Sequence, residues 1–312
     1  MITINDIQSA HNRIRPFIHN TAVLTSTSLN NISESSLYFK CENFQKSGSF
    51  KIRGVANALL QVHKDHSSKG FVTASSGNHG AALSMVATYL GCNATIVMPS
   101  NAPEIKIQNV KRNGGEIIWC KPNQNSRDQI LQKTLDETGG ILIHPYNDYR
   151  IIAGQATAAL ELIEKYKDLD MLVAPLGGGG LLSGTISSVK QINPRIQVYG
   201  AEPYQADDGY RSIISGRIQE NLTTDTICDG LRAQIGIIPF SIIKENVDAI
   251  LRLKEDQIIE AMRFAWECLK IIIEPSCAIT LAAILHNKQI FRGKKIGLII
   301  TGGNVDLDNL PW

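Results

Sequence analysis

The chain has 312 residues, 43% hydrophobic and 19% charged, which excludes a disordered or low-complexity protein and leaves room for two domains or one large α/β body. Its 31 basic and 29 acidic residues are mixed along the chain and give a formal net charge of +2, so a small molecule is the expected partner, with no nucleic acid and no anionic membrane. The 6 cysteines (Cys41, Cys92, Cys120, Cys228, Cys268, Cys277) form no CxxC pair and no stretch reaches about 18 apolar residues; reduced thiols, no secretion signal, no membrane span and a cytoplasmic location are expected.

In chain order, SLYFKCE (36–42) reads as an extended segment and KIRGVANALLQV (51–62) as a helix. Between them Ser47, Gly48 and Ser49 make a small polar turn. Lys51 follows at a strand–helix junction, beside Phe50, where α/β proteins present chemistry. From residue 71 an apolar strand, a Gly-, Asn- or Pro-rich turn and an amphipathic helix alternate: FVTAS into AALSMVATYLG, ATIVMPS into EIKIQNVKRNGG, EIIWC into SRDQILQKTLDETGG, then ILIHPY. A second set follows, with MLVAPLG into LLSGTISSVKQI, QVYGAEP, a less regular stretch over 207–245, AILRL, the helix EDQIIEAMRFAWECLK and the strand KIGLIITGG. This alternation predicts βαβ units, mostly parallel sheets and two α/β halves facing across a crevice.

Three loops carry chemistry. PLGGGGLLSG (175–184) places four glycines between a buried strand and a helix, where backbone amides converge at the positive end of the helix dipole and cradle a phosphate. Leu182 stands where a dinucleotide fingerprint needs Gly or Ala and no Lys follows Gly184, so a single phosphate ester fits better than a pyrophosphate. SSGNHG (75–80) groups Ser75, Ser76, Asn78 and His79 around a helix start, a cup for a carboxylate; an N-cap with a tight turn is the bland alternative. TGGNVDL (301–307) ends the last strand with the Thr301 hydroxyl aimed into the crevice. A junction lysine, a single-phosphate cradle and a carboxylate cup together point to pyridoxal phosphate and an amino acid, with a neutral hydroxyl rather than a carboxylate beside the pyridine nitrogen.

The motifs SGSFKIRGVANAL, SSGNHG, GGGGLLSG, AEPYQADD and TGGNVDL, in that order, closely resemble the serine racemase and serine/threonine dehydratase group of fold-type II pyridoxal-phosphate enzymes, over about residues 15–307. The resemblance implies an α/β fold like that of the tryptophan synthase β chain, with open twisted parallel-type sheets flanked by helices. A large cofactor-binding domain would comprise 1–68 plus 148–312, and a small domain 69–147. It implies Lys51 as the Schiff-base lysine and base on one face of the substrate, Phe50 near the cofactor ring and Asn78 on the 3-oxygen. Gly177, Gly178, Gly179 and Gly180 would hold the phosphate and Thr301 would face the pyridine nitrogen. Ser75, Asn78 and His79 would bind the substrate carboxylate, and Ser76 would be the acid/base on the opposite face.

The same resemblance reads AEPYQADD as a divalent-cation site, with Glu202, Asp208 and the Ala206 carbonyl holding Mg²⁺ (or Ca²⁺ or Mn²⁺); by residue type alone the segment is a solvated acidic loop. Asn113 replaces the tyrosine that stacks on a nucleotide in animal racemases, whereas HPYND (144–148) and DGLRAQ (229–234) are closer to the dehydratase and hydroxyaspartate-lyase side. By the same resemblance Arg127 lies where racemases carry a substrate-proximal arginine, which would read a second carboxylate. The activity expected is dehydration of L-serine and L-threonine to 2-oxo acids and ammonia, with serine racemisation, in a homodimer. The alternatives are a 3-hydroxyaspartate ammonia-lyase, a predominant serine racemase, or a silent binding module that has kept the fold.

Overall fold

The computed structural model describes residues 2–66 and 69–312. The described strands are β1 (Val23–Leu24), β2 (Ser36–Cys41), β3 (Phe71–Ala74), β4 (Ala94–Pro99), β5 (Glu116–Cys120), β6 (Ile141–Leu142), β7 (Met171–Pro175), β8 (Gln197–Pro203), β9 (Ala249–Leu253) and β10 (Lys295–Ile300). They form a six-stranded sheet of order β1-β2-β10-β7-β8-β9 and a four-stranded sheet of order β5-β4-β3-β6. Every described pairing is parallel except the β1–β2 edge. The strands of the smaller sheet all come from between Phe71 and Leu142; the domain boundary expected at 68 lies outside the described residues.

The large sheet is buried on both faces, which is why its strands read as continuous apolar runs. Along β10, Ile296, Leu298 and Ile300 enter a core built on the helices Glu255–Leu269 and Pro275–Leu285. Ile299 points the other way, into a core under Tyr149–Lys165 and Gly180–Ile192. Burying each Leu or Ile side chain stabilises the fold by about 1.5–3 kcal/mol relative to leaving it exposed. In the smaller sheet Phe71, Ile96 and Met98 pack against the helices Lys51–His66 and Asn78–Tyr89, while Ala74, Val97 and Cys120 face Gln124–Thr138.

Two stretches differ from the sequence reading. ILIHPY is a strand only at Ile141–Leu142; beyond it His144 Nδ1 accepts the amides of Tyr146 and Asn147 at 3.3 and 2.9 Å, turning the chain away from the sheet. The less regular segment 207–245 contains the helices Asp208–Ser215 and Ile237–Asn246, each too short for a sustained period to stand out.

Strand order sets the position of the site. The last strand, β10, is inserted between β2 and β7, so the carboxyl ends of three parallel strands distant in sequence emerge side by side. The segment after β2 carries Lys51, Thr301 directly follows β10 and β7 runs into the glycine loop. Ligands of open α/β sheets bind beyond these ends.

Candidate active site

A cavity of about 930 Å³ lies between the two sheets. It is lined by Phe50, Lys51, Ser75, Ser76, Asn78 and His79, and also by Arg127, Thr301 and Gly177 through Gly180. Loops predicted from separate parts of the chain thus converge on one space.

Lys51 is the first residue of the helix Lys51–His66, and its entry is fixed from both sides. The Phe50 amide donates to the Thr301 carbonyl at 2.9 Å, and Ser49 bridges Gly302. Two residues on, Arg53 is fully buried and its guanidinium bonds both Glu42 and Glu161, with all four distances between 2.7 and 2.8 Å. Burial opposes the Arg53 charge, but Glu42 and Glu161 outweigh it and raise its pKa. The Lys51 amine reaches the Pro145 carbonyl at 3.3 Å and lies 5.1 Å from the Phe50 ring centre. Burial pushes its pKa down to about 8, against the opposing pull of Glu274. A substantial neutral fraction near physiological pH is what a nucleophilic or proton-abstracting lysine requires.

The glycine loop leads into the helix Gly180–Ile192, with Gly179 in the left-handed region at φ +89°. A Cβ on Gly178 would overlap the Tyr146 ring, one on Gly180 would lie 2.9 Å from Tyr146 Cβ, and one on Gly177 would lie 2.9 Å from Leu231 Cα. The glycines therefore serve close packing as well as ligand approach. The Gly178 carbonyl accepts the Gly236 amide at 3.1 Å. First-turn amides of a 13-residue helix behind a loop bare of side chains fit a phosphate monoester.

In the SSGNHG loop the Ser75 hydroxyl accepts the amides of Gly77 and Gly80 at 3.2 and 3.0 Å, so it shapes the turn. The Asn78 and His79 amides, in the first turn of Asn78–Tyr89, have no intrahelical acceptor and suit a carboxylate. The His79 ring is 2% exposed; Nε2 lies 3.1 Å from the Ile143 carbonyl and Nδ1 has no partner among the described residues. Burial first, then Lys51, holds its pKa well below the usual value, so it is neutral with the proton on Nε2. His144 is likewise neutral, pushed down to about 4 by burial and by Arg127. Arg127 donates to the Ala74 carbonyl at 2.6 Å while lining the cavity.

Glu202, Ala206 and Asp208 do not line the cavity. Asp208 Oδ2 accepts the amide of Ile235, a cavity residue, at 2.7 Å, whereas its Oδ1 is buried without a partner among the described residues. Glu202 is fully buried and accepts the amides of Gly209 and Tyr210 at 3.0 and 2.7 Å. Burial and the neighbouring Asp208 raise the Glu202 pKa well above the ordinary range; burial raises Asp208 to about 6. Two buried carboxylates and an orphaned oxygen fit a hard divalent cation. Among the described residues no group of three or more His, Cys, Asp or Glu side chains could hold a metal, so the Ala206 carbonyl and water would have to complete the shell.

Sequence reading missed four polar residues at this site: Lys106, Asp229, Glu274 and Asn304. Glu274 Oε1 accepts from Asn78 Nδ2 at 2.8 Å, Asn304 Nδ2 donates to Asn78 Oδ1 at 2.8 Å, and the Lys106 amine pairs with Asp229. Asn304 stood within the motif TGGNVDL and Asp229 at the start of DGLRAQ; Lys106 and Glu274 carry no local signal.

Comparison with known proteins agrees with this geometry. Residues 14–302 match the family described as pyridoxal-phosphate dependent enzyme. The chain is 49% identical to the serine racemase of Arabidopsis thaliana, covering 98% of this chain and 94% of that one. It is 45% identical to the beta-hydroxyaspartate dehydratase of Paracoccus denitrificans, covering 99% and 98%. It superposes on maize serine racemase with a TM-score of 0.96 at 43% identity, covering 98% and 94%. No helix among the described residues is long and apolar enough to cross a membrane. The chain belongs to the pyridoxal-phosphate dependent enzymes, in their serine racemase and dehydratase group.

Proposed function

We propose that the protein converts L-serine and L-threonine to 2-oxo acids and ammonia, and also racemises serine. The observation that carries this reading is the Lys51 amine, its pKa pushed down to about 8, in one cavity with Ser76, the glycine loop and Thr301. Pyridoxal phosphate, when bound, draws electrons from the α-carbon of an amino acid and makes its proton removable.

This chain's residues supply the rest. The glycine-loop amides would hold the phosphate, the second Nδ2 hydrogen of Asn78 would be given to the ring 3-oxygen, and the Thr301 hydroxyl would serve the pyridine nitrogen. The Asn78 and His79 amides hold the substrate carboxylate. Lys51 takes the α-proton on one face. Ser76 supplies a proton from the other, which inverts the centre; loss of the β-hydroxyl as water gives elimination instead. Glu202, Asp208 and the Ala206 carbonyl would hold Mg²⁺ or a similar cation. The Asp208–Ile235 bond and the adjacent Gly236–Gly178 bond connect these carboxylates to the phosphate loop, which a bound cation would brace.

The test is incubation with L-serine, with and without Mg²⁺, measuring D-serine and pyruvate together. Purified protein that binds no pyridoxal phosphate sinks the reading.

A second reading, 3-hydroxyaspartate ammonia-lyase, is favoured by Arg127 lining the cavity beside neutral His144, and by the Paracoccus relative. Comparing turnover of serine, threonine and 3-hydroxyaspartate separates the two. Arg127→Ala that leaves all three rates unchanged removes the basis for a dicarboxylate substrate.

A further inference from the structure

Lys106 is a lysine with 4% exposure, on the helix Glu104–Arg112 of the smaller sheet's layer. Its amine crosses the cleft to Asp229, in the turn Asp229–Leu231, and lies 3.5 Å from Glu274 Oε2, just before the helix Pro275–Leu285. Its stem is held as closely: a Cβ on Gly77 would overlap it, so the glycine of the SSGNHG loop makes room for this lysine. Glu274 is 2% exposed and packs closely on Gly302, where a Cβ would lie 2.6 Å from its Oε1, and its amide donates to the Gly302 carbonyl at 3.0 Å. That carboxylate bonds Asn78 and acts on Lys51 through space.

We infer that Lys106 is a positioning residue: by bridging the cleft to Asp229 and Glu274, it keeps Glu274 ionised as the acceptor that orients Asn78 and as the counter-charge facing Lys51. This rests on the pyridoxal-phosphate reading of the cavity. The charged and titratable groups that face Glu274 are Lys106, Asp229 and Lys51, with the buried thiols of Cys228 and Cys277. Burial raises the Glu274 pKa and Lys106 is the cation that opposes the rise. Without that cation the carboxyl takes up a proton at higher pH. A proton on Glu274 removes the attraction that supports the Lys51 ammonium and weakens the acceptor for Asn78.

The experiment compares wild type, Lys106→Met, Asp229→Asn and Glu274→Gln. Each is measured for the pH dependence of kcat/KM and for the absorbance of bound pyridoxal phosphate across pH 5–9 without substrate. Lys106→Met keeps the buried stem and removes the charge. Its acid limb moves up by about one pH unit, about a ten-fold loss at a pH on that limb, and the spectral titration moves with it. Asp229→Asn leaves Lys106 to Glu274 alone, so its limb stays or moves down. Glu274→Gln removes the limb.

Lys106→Met with the wild-type limb and titration overturns the inference. So does Asp229→Asn shifting upward like Lys106→Met, which would mark a loosened clasp only. If Lys106→Met does not fold, Glu274→Gln that retains the wild-type limb and titration overturns it alone. Wild type that binds the cofactor and shows the spectral shifts but turns over none of the proposed substrates refutes the proposed activity and leaves this inference standing.

Discussion

Asn304 Nδ2 donates to Asn78 Oδ1 at 2.8 Å across 226 residues of sequence, tying the loop after the last strand to the start of the helix Asn78–Tyr89. The same amide nitrogen donates to the Ser47 carbonyl at 3.0 Å, and Asn304 Oδ1 accepts from Asn109 at 3.2 Å. Asn304 thus joins the turn before Lys51 to the helices Asn78–Tyr89 and Glu104–Arg112. With Oδ1 held by Asn304 and one Nδ2 hydrogen held by Glu274, the Asn78 amide has one orientation and one free donor.

Asn304→Ala removes bonds worth about 1 kcal/mol each and frees the Asn78 amide to rotate. Affinity for pyridoxal phosphate falls about ten-fold, as measured by fluorescence titration. A variant with wild-type affinity would show that Asn78 is oriented by Glu274 alone.

Capture of the cofactor follows the Lys51 amine, since only a neutral amine attacks an aldehyde. With the pKa pushed down to about 8, the rate at which cofactor-free protein takes up pyridoxal phosphate rises about ten-fold from pH 7 to pH 9 and then levels off, followed by stopped-flow absorbance. The folded pKa is depressed below the ordinary 10.5, so between about 8 and 10.5 the unfolded chain binds more protons at this position. The Lys51 contribution to stability of the cofactor-free protein therefore rises with pH across that window and is lost as pH falls through 8. Lys51→Ala abolishes the absorbance of the bound cofactor and all turnover.

Ser76→Ala separates the two proposed outcomes. D-serine formation drops at least a hundred-fold, the scale typical of losing an acid/base group, while pyruvate formation from L-serine stays within about three-fold. Equal losses in both assays would show that Ser76 serves elimination too.

Mg²⁺ added to chelator-treated protein raises the melting temperature by several degrees, because at about 100 times Kd a ligand stabilises by about 2.7 kcal/mol. Asp208→Asn abolishes the shift. Because Asp208 holds Ile235, whose neighbour Gly236 bonds Gly178, the same variant also weakens pyridoxal phosphate binding. A melting shift that persists in Asp208→Asn places the cation elsewhere.

The strands and loops were legible for a local reason. QVYGAEP became β8 over Gln197–Pro203 and EIIWC became β5 over Glu116–Cys120, since short apolar runs bounded by turn residues carry their own signal. Lys51, the four glycines and SSGNHG stood out because backbone turns demand particular residue types in sequence. The helix Pro275–Leu285 gave no such signal: all eleven residues except the last are buried, so no polar face marks a helical period.

The sequence alone therefore determined the α/β class and the loops that would carry chemistry. Only the tertiary structure decided that β10 inserts between β2 and β7 and so brings Thr301 against Phe50. Only it could assign Lys106, which by sequence is an ordinary helix lysine and in the fold is buried between Asp229 and Glu274. Turn chemistry is written in neighbouring residues. An ion pair across a cleft depends on groups whose nearness exists only once the sheets have packed.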